Sequence, residues 1–400
     1  MQKTIYLGAQ GALQSELAAQ SARADTISVP QPSVLALRYH RSGNILWVVE
    51  TGLSLLIPAL LLFTGISSRL GSLARRAGLR WLPTLMLYAA LFTVVTGLLT
   101  LPFAYYAGYV RPHEYGLSNQ DIGRWAGEWL KGLAVSGIGL SLVLWVPYLL
   151  LRLSPRRWWL YAGLASIPCL SLLLVIAPIW VDPLFNDFGP MQDKALESQI
   201  LTIARRAGIE EGRVYQVNKS ADTKLINAYV TGLGRTKRIV LWDTLLDKLE
   251  PDQIIFVTAH EMGHFVLRHT LAVILGAAVL TTASLYVVHR LADRLVARFS
   301  RQFGFDRLSD VASLPLLLLL GGLTSLVLTP LVLAFSRYQE HEADRFALEL
   351  TRNNHAAAST FVRLQEENLS VPRPGPLYML WRASHPALAD RIDFANNYRP

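Results

Sequence analysis

Cysteine is almost missing from this chain. Cys169 is the only one in 400 residues, and it lies inside an apolar run. That excludes a disulfide framework and any cysteine-based zinc site. Charge is scarce too, at 17% of residues against 52% apolar. The net charge of +9 would suit a nucleic-acid partner, but no nucleic-acid motif and no phosphate-binding loop of the G-x-x-x-x-G-K-[ST] type is present. The arginines sit instead in short loops beside very apolar segments, which is a membrane-topology pattern. The expected partner is a lipid bilayer, and no nucleic acid.

Residues 1–43 are mixed and polar and lack the long apolar core of a signal peptide. A bilayer core of about 30 Å takes about 20 apolar helical residues. Six runs qualify, at 44–66, 81–104, 130–151, 158–180, 265–289 and 311–335. So many apolar runs leave too little polar surface to clothe them as buried helices of a soluble protein. The expected organisation is a polar N-terminal segment (1–43), a four-helix membrane region (44–180), a first part of an enzymatic domain (181–264), a membrane hairpin (265–335) and a helical remainder of that domain (336–400). In the polar segment, 193–208 reads as an amphipathic helix and 214–217 as a short strand. Residues 225–231 and 237–242 read as a hairpin around Gly232 to Arg235, with Asp243 capping the short helix that follows. After the sixth span, 340–369 reads as one helix, and a last helix runs from about Pro386 to Asn396.

The chemistry concentrates in His260-Glu261-Met262-Gly263-His264, an H-E-x-x-H pattern on a segment that reads as a helix from Asp252 to His269. Residues four apart share a helix face, so both imidazoles can serve one metal ion. Glu261, about 100° round the helix, can reach a water on that ion as a general base. A third ligand must come from elsewhere. His269 stands one position short of the metzincin spacing, which directs attention to a downstream carboxylate. His264 lies just before the fifth span, and the acidic stretch Glu340-His341-Glu342-Ala343-Asp344 lies just after the sixth. Two spans, out and back, return the chain to the same membrane face and bring these residues beside the motif. Glu340 and Asp344 share a helix face, suiting one carboxylate as ligand and another as the group that orients a histidine; without the topology argument, a solvated acidic helix start would account for them equally well. His40, His113, His289 and His355 are taken as structural.

Several stretches together resemble the type I CAAX prenyl endopeptidases, integral-membrane zinc proteases. They are Glu114 to Gln120, Pro183 to Asn186, Asn227-Ala228-Tyr229 with Arg238 to Leu241, His260 to His264, Ser336 to Asp344, and Ser384-His385-Pro386 with Arg391. The resemblance implies one Zn2+ per chain with Glu340 as third ligand in an E-x-x-x-D pattern, where Asp344 is the supporting carboxylate. It also implies that His385 and Arg391 position substrate and stabilise the oxyanion, and that Asn227, Ala228 and Tyr229 belong to a peptide-binding edge strand. It further implies helices around a large intramembrane chamber, and seven spans where six are counted here, the first having no counterpart.

The expected fold is therefore mainly α: a multi-pass α-helical membrane protein with a zincin-like α+β metalloprotease domain carrying a small β-hairpin and edge strand. Its expected function is zinc-dependent endopeptidase action on a peptide or membrane-protein substrate. A quality-control protease without prenyl specificity and a non-enzymatic scaffold or transporter are the rival readings. Nothing in the sequence speaks to oligomeric state. Twelve arginines occupy the three loops after spans one, three and five. The positive-inside rule makes that face cytoplasmic and puts the H-E-x-x-H helix on the extracytoplasmic side of a bacterial-type inner membrane. The resemblance implies the opposite side for its eukaryotic members.

Overall fold

In a bilayer every backbone N–H and C=O must be paired within the segment, so isolated apolar runs have to be helical. They are helical in the computed structural model, which describes residues 26–78, 80–209, 213–231 and 238–399. The membrane part comprises α1 (Val34–Phe63), the short α2 (Ile66–Arg76), α3 (Trp81–Tyr105), α4 (Ile122–Leu153) and α5 (Trp158–Ile176). A π-turn at Tyr106–Val110 and one more turn, Arg111–Glu114, prolong α3. The enzymatic part follows with β1 (Phe188–Pro190), α6 (Lys194–Arg206), β2 (Arg213–Val217), β3 (Ala228–Thr231), β4 (Arg238–Trp242), α7 (Asp243–Lys248) and α8 (Pro251–Val266). Then come α9 (His269–Phe303), α10 (Leu314–Thr351), α11 (Asn354–Glu367), α12 (Pro376–Trp381) and α13 (Leu388–Asn397).

Six of these helical stretches are long and apolar enough to cross a membrane among the described residues. Their apolar side chains face outward: only 6% of the most apolar window of the α5 stretch is buried, and Val48, Leu56, Leu172 and Val327 stand well exposed. That is the signature of a lipid-facing surface. The helices overrun the bilayer: α9 alone has 35 residues, about 52 Å at 1.5 Å per residue.

Several boundaries differ from the periodicity reading. The first helix starts at Val34 because Ser33 caps it, its Oγ accepting from Ala36 N at 3.0 Å. Residues 26–33 are extended and pinned to the far end of the chain. Asn396 receives Ile27 N–H and donates back to Ile27 O, and Gln365 donates to Pro30 O. The segment before α1 thus lies on the side of the enzymatic part. The reading of 340–369 as one helix is corrected: Arg352, at φ 52°, ends α10, and Asn353 caps α11 through Ala356 N. Asp243 does more than start α7, since its Oδ1 also accepts from Lys219 and Ser220 N–H and closes that loop.

The sheet order is β1-β2-β4-β3. β2 runs parallel to β4, and β3 pairs antiparallel to β4 at the edge. The tip expected at Gly232 to Arg235 lies outside the described residues. One face of the sheet packs with α6 and α8 around Ile200, Ile239, Leu241 and Met262.

The membrane bundle has its buried core at the arginine-rich end, around Tyr88, Tyr148, Trp158 and Phe303. A polar clasp closes this end. Ser67 Oγ sits 2.7 Å from Tyr88 OH and donates to Ala312 O, Tyr148 OH meets Ser313 Oγ at 3.0 Å, and Arg75 pairs with Asp310 at 3.2 Å. At the opposite end a cavity of about 790 Å³ opens between α1, α3 and the enzymatic helices.

Close helix approach in lipid relies on small residues. A Cβ on Gly163 of α5 would lie 2.1 Å from Thr282 Oγ1 and 3.0 Å from Thr282 Cα on α9, whereas one on Gly276 would meet nothing within 4 Å. Gly163→Ala should therefore lower the melting temperature in detergent, by an overpacking cost of about 1–3 kcal/mol. Gly276→Ala should leave it in place, and equal melting of the two variants would refute the α5–α9 contact.

Candidate metal centre

Helix α8 starts cleanly because Pro251 takes the first turn and Glu250 and Gln253 form a capping box, Gln253 Oε1 accepting from Glu250 N at 3.0 Å. Ile254, Phe256, Ala259 and Met262 are buried on its inner faces. Gly263 lets α10 come close: a Cβ there would lie 3.2 Å from Ala343 Cα and 3.1 Å from the Phe346 ring. This approach sets Glu340 of α10 against the two histidines of α8.

The three groups converge. His260 Nε2 and His264 Nε2 are 3.2 Å apart. Glu340 Oε2 lies 3.2 Å from His260 Nε2, and its Oε1 lies 3.4 Å from His264 Nε2. Two facing imidazole nitrogens and a carboxylate form a donor set for a cation. Glu340 Oε2 is buried with no hydrogen-bond partner, an orphan that a metal ion would satisfy.

Each member is held from behind. Asp344, 1% exposed, lies 2.9 Å from His260 Nδ1 and accepts from Arg391 Nε and Nη2 at 2.8 and 2.6 Å. Arg391 also stacks on the Phe361 ring at 4.3 Å. His264 Nδ1 is 2.9 Å from Nδ1 of the buried His269. If His264 Nε2 bound a metal ion, its Nδ1 would carry the proton and donate to His269. Gln339, next to Glu340, donates to His269 O at 3.4 Å. His385 is the accessible member, with its side chain 56% exposed. Its Nε2 lies 3.3 Å from Glu340 Oε2, and its Nδ1 lies 2.8 Å from Ser384 Oγ.

Electrostatics divide the two histidines. Burial works against charge on His260, but Asp344 and Glu340 outweigh it and raise the pKa to about 10. Burial and then the neighbouring His260 charge lower that of His264. Burial pushes the Glu261 carboxyl up to about 7, opposed by the His260 charge, reinforced by Glu340 and opposed again by the Val230 backbone N–H. Glu261 therefore faces the edge strand. Trp242 N donates to Asn227 O, so in the antiparallel register Asn227 and Tyr229 point their backbone polar groups at β4, and Ala228 and Val230 turn theirs to the open side.

The structure thus gathers His260, Glu261, His264, Glu340, Asp344, His385 and Arg391, and sets residues 227–229 at the start of the edge strand. The Arg391 guanidinium is engaged by Asp344. The His264–His269 contact and the facing of Val230 to Glu261 carry no sequence signal, since His269 stands at the wrong spacing for a ligand and Val230 is an ordinary strand residue.

Residues 190–399 match peptidase family M48, and residues 35–187 match the CAAX prenyl protease N-terminal region, described as five membrane helices. The chain belongs to peptidase family M48. Within the second match the described residues hold four candidate spans. The chain is 38% identical over 381 residues to "Uncharacterized metalloprotease YhfN" of Bacillus subtilis, covering 94% of this chain and 89% of that one. It is 30% identical over 308 residues to "CAAX prenyl protease 1 homolog" of Dictyostelium discoideum, covering 75% and 70%. The crystal structure of S. mikatae Ste24p superposes with a TM-score of 0.80 at 23% identity, covering 98% and 97% of the two chains. The protein is a multi-pass integral-membrane metalloprotease, and the scaffold or transporter reading falls away.

The geometry makes Glu340 and the nearby Glu342 unequal. Glu342 pairs outward with Arg345. Glu340→Ala should strip most of the bound metal from the purified protein, and Glu342→Ala should not, as read by mass spectrometric metal analysis. Equal retention would remove Glu340 from the ligand set.

Proposed function

We propose that this metalloprotease is a zinc endopeptidase in which His260, His264 and Glu340 hold the ion and Glu261 is the general base. The observation that carries this reading is that His260 Nε2 and His264 Nε2 stand 3.2 Å apart, with one ligand atom from each histidine and from Glu340 all within 4.8 Å of one another. Tetrahedral zinc, with ligands at 2.0–2.1 Å, separates its ligand atoms by about 3.3 Å. A set of imidazole and carboxylate with no thiolate is a zinc-type set as well. Bound there, zinc supplies Lewis-acid polarisation of the scissile carbonyl and a lowered pKa for water.

The chain's own residues do the rest. Glu261 accepts the proton of the attacking water and passes it to the departing amine nitrogen, a task suited to a carboxyl raised to about 7. Asp344, held by Arg391, fixes the His260 ring with Nε2 toward the ion. Arg391 is thus a positioning residue, and His385, exposed beside Glu340, is the group in reach of the oxyanion. The substrate backbone adds to β3, where the Ala228 and Val230 carbonyls face outward and Asn227 and Tyr229 keep the strand paired to β4. One chain holds one zinc site.

The substrate is a peptide segment of a membrane-associated protein. The relatives named for CAAX prenyl proteins favour a prenylated one, and terminal proteomics of membranes with and without Glu261→Gln separates prenylated C-termini from the internal cuts of a quality-control protease. The site faces outward from a bacterial-type inner membrane, because α2 and the turn before α10 gather Arg69, Arg75, Arg76 and Arg307 at the other end.

Two outcomes test this. Glu261→Gln should retain its metal and lose cleavage of a quenched fluorescent peptide by about 10²–10⁴-fold; full activity would dismiss Glu261 as the base. Alkaline phosphatase fused after Asp222 should be active in cells, and a fluorescent protein that matures only in the cytoplasm should be dark there. The reverse pattern would overturn the orientation and leave the zinc chemistry intact.

A further inference from the structure

The cavity beside the metal centre contains two arginines that the peptidase chemistry does not use. Arg111 comes from the last turn of the α3 stretch and Arg382 from the turn after α12. Both converge on one point of α1, the Cα face of Gly43. A Cβ there would lie 3.1 Å from Arg111 Nη2 and 3.6 Å from Arg382 Nη2, so glycine leaves the room in which the two guanidiniums meet.

Neither is neutralised. Arg111 is buried, with Nε donating to Ser42 Oγ at 3.0 Å and Nη2 to Tyr39 O at 2.7 Å. Its guanidinium lies 3.7 Å over the Tyr39 ring. Arg382 Nη1 donates to Asn44 Oδ1, and its guanidinium lies 4.8 Å from the Tyr378 ring centre. No carboxylate lies within 4.0 Å of either among the described residues, whereas Arg391, the other buried arginine of the cavity, is paired with Asp344. Glu50, two turns further along α1, lines the cavity and makes no ion pair among the described residues. Two buried or half-buried cations share this end of the cavity with Glu50, which acts on Arg382 through space but forms no ion pair with it, so the positive charge is only partly compensated. Holding like charges together out of water is unfavourable unless an anion completes the group. Burial lowers the Arg382 pKa, Tyr378 opposes that, Arg111 adds to the fall and Glu50 opposes it.

Distance ties this pair to catalysis. Arg382 is three residues before His385, so their Cα atoms are at most about 11 Å apart. His385 Nε2 is itself 3.3 Å from Glu340. An extended peptide advances about 3.3 Å per residue. A substrate paired to β3 with its scissile bond at the metal centre would bring a group a few residues away to the guanidiniums.

We propose that Arg111 and Arg382 form a subsite for a carboxylate of the peptide substrate, placed a few residues from the scissile bond. This rests on the peptidase reading of the same site. The carboxylate has two sources, the α-carboxylate of a chain end or an aspartate or glutamate side chain. Guanidinium forks accept either in the same geometry, and planar pairing fixes register along the edge strand.

The test is made on the full chain in detergent, with the inert Glu261→Gln protein and apolar hexapeptides carrying a neutral fluorophore. The first ends in a free carboxylate, the second in an amide, and the third in an amide with aspartate as last residue. Fluorescence anisotropy should show the first, the third or both binding on the order of ten- to a hundredfold more tightly than the second. Which of the two gains identifies the source of the carboxylate. Arg382→Gln should reduce that ratio to about one, and Arg382→Lys should restore part of it. The lysine variant serves as the control for a glutamine variant that fails to fold. Equal binding of all three peptides, no binding at millimolar concentration, or a ratio untouched by Arg382→Gln would overturn the subsite while peptide cleavage by the unaltered enzyme stood. An intact ratio with no cleavage by the unaltered enzyme would instead sink the peptidase reading alone.

Discussion

Asp344 is the carboxylate on which the site depends. At 1% exposure it would be strongly disfavoured as a lone charge, and a buried carboxylate persists only when paired and hydrogen-bonded. Arg391 supplies two N–H groups and His260 a ring nitrogen. One interaction therefore joins the start of the last helix, the end of the sixth span and the motif helix. It also fixes which nitrogen of His260 faces the cluster, without which Glu340 would have no partner to share a cation with. Removing either partner would strand a buried charge, so the arrangement is rigid by necessity.

That rigidity contrasts with the membrane part. Its packed core and polar clasp close the arginine-rich end, and the opposite end is held apart around a cavity of about 790 Å³. The division is physical: one end is a seal and the other a chamber mouth whose walls come from α1, α3 and the enzymatic helices. Hydrolysis needs water, which a sealed bundle would exclude. A membrane-associated substrate, as proposed above, also needs its apolar part to stay near lipid, which a detached soluble domain would not offer. Placing the metal centre at the open end meets both conditions.

The membership in family M48 accords with this reading. The likeness to S. mikatae Ste24p, at 23% identity, speaks to the fold. The chain's own residues bring together three groups that could hold a metal ion, a carboxyl with a raised pKa beside an edge strand, and an accessible histidine on the rim.

Local sequence determined those features that depend on near neighbours. Apolar runs of bilayer length had to be helices because backbone groups cannot be left unpaired in lipid. The H-E-x-x-H spacing put His260 and His264 on one face because a helix turn is 3.6 residues. The return of Glu340 to the motif followed from counting two spans. Tertiary structure decided what depends on distant pairs. Arg391 is 47 residues from Asp344 and carries no local signal of its partner. Only the closed fold occupies its guanidinium with that carboxylate. His269 lacked the expected spacing, yet the break between α8 and α9 at Arg268 (φ 57°) swings it back against His264. Arg111, 271 residues before Arg382 in sequence, meets it only because α1 offers a glycine between them. The sequence thus determined that His260 and His264 share one helix face and which helices the chain forms, and the tertiary fold decided which charges were buried together, since burial energies depend on neighbours that chain order does not place.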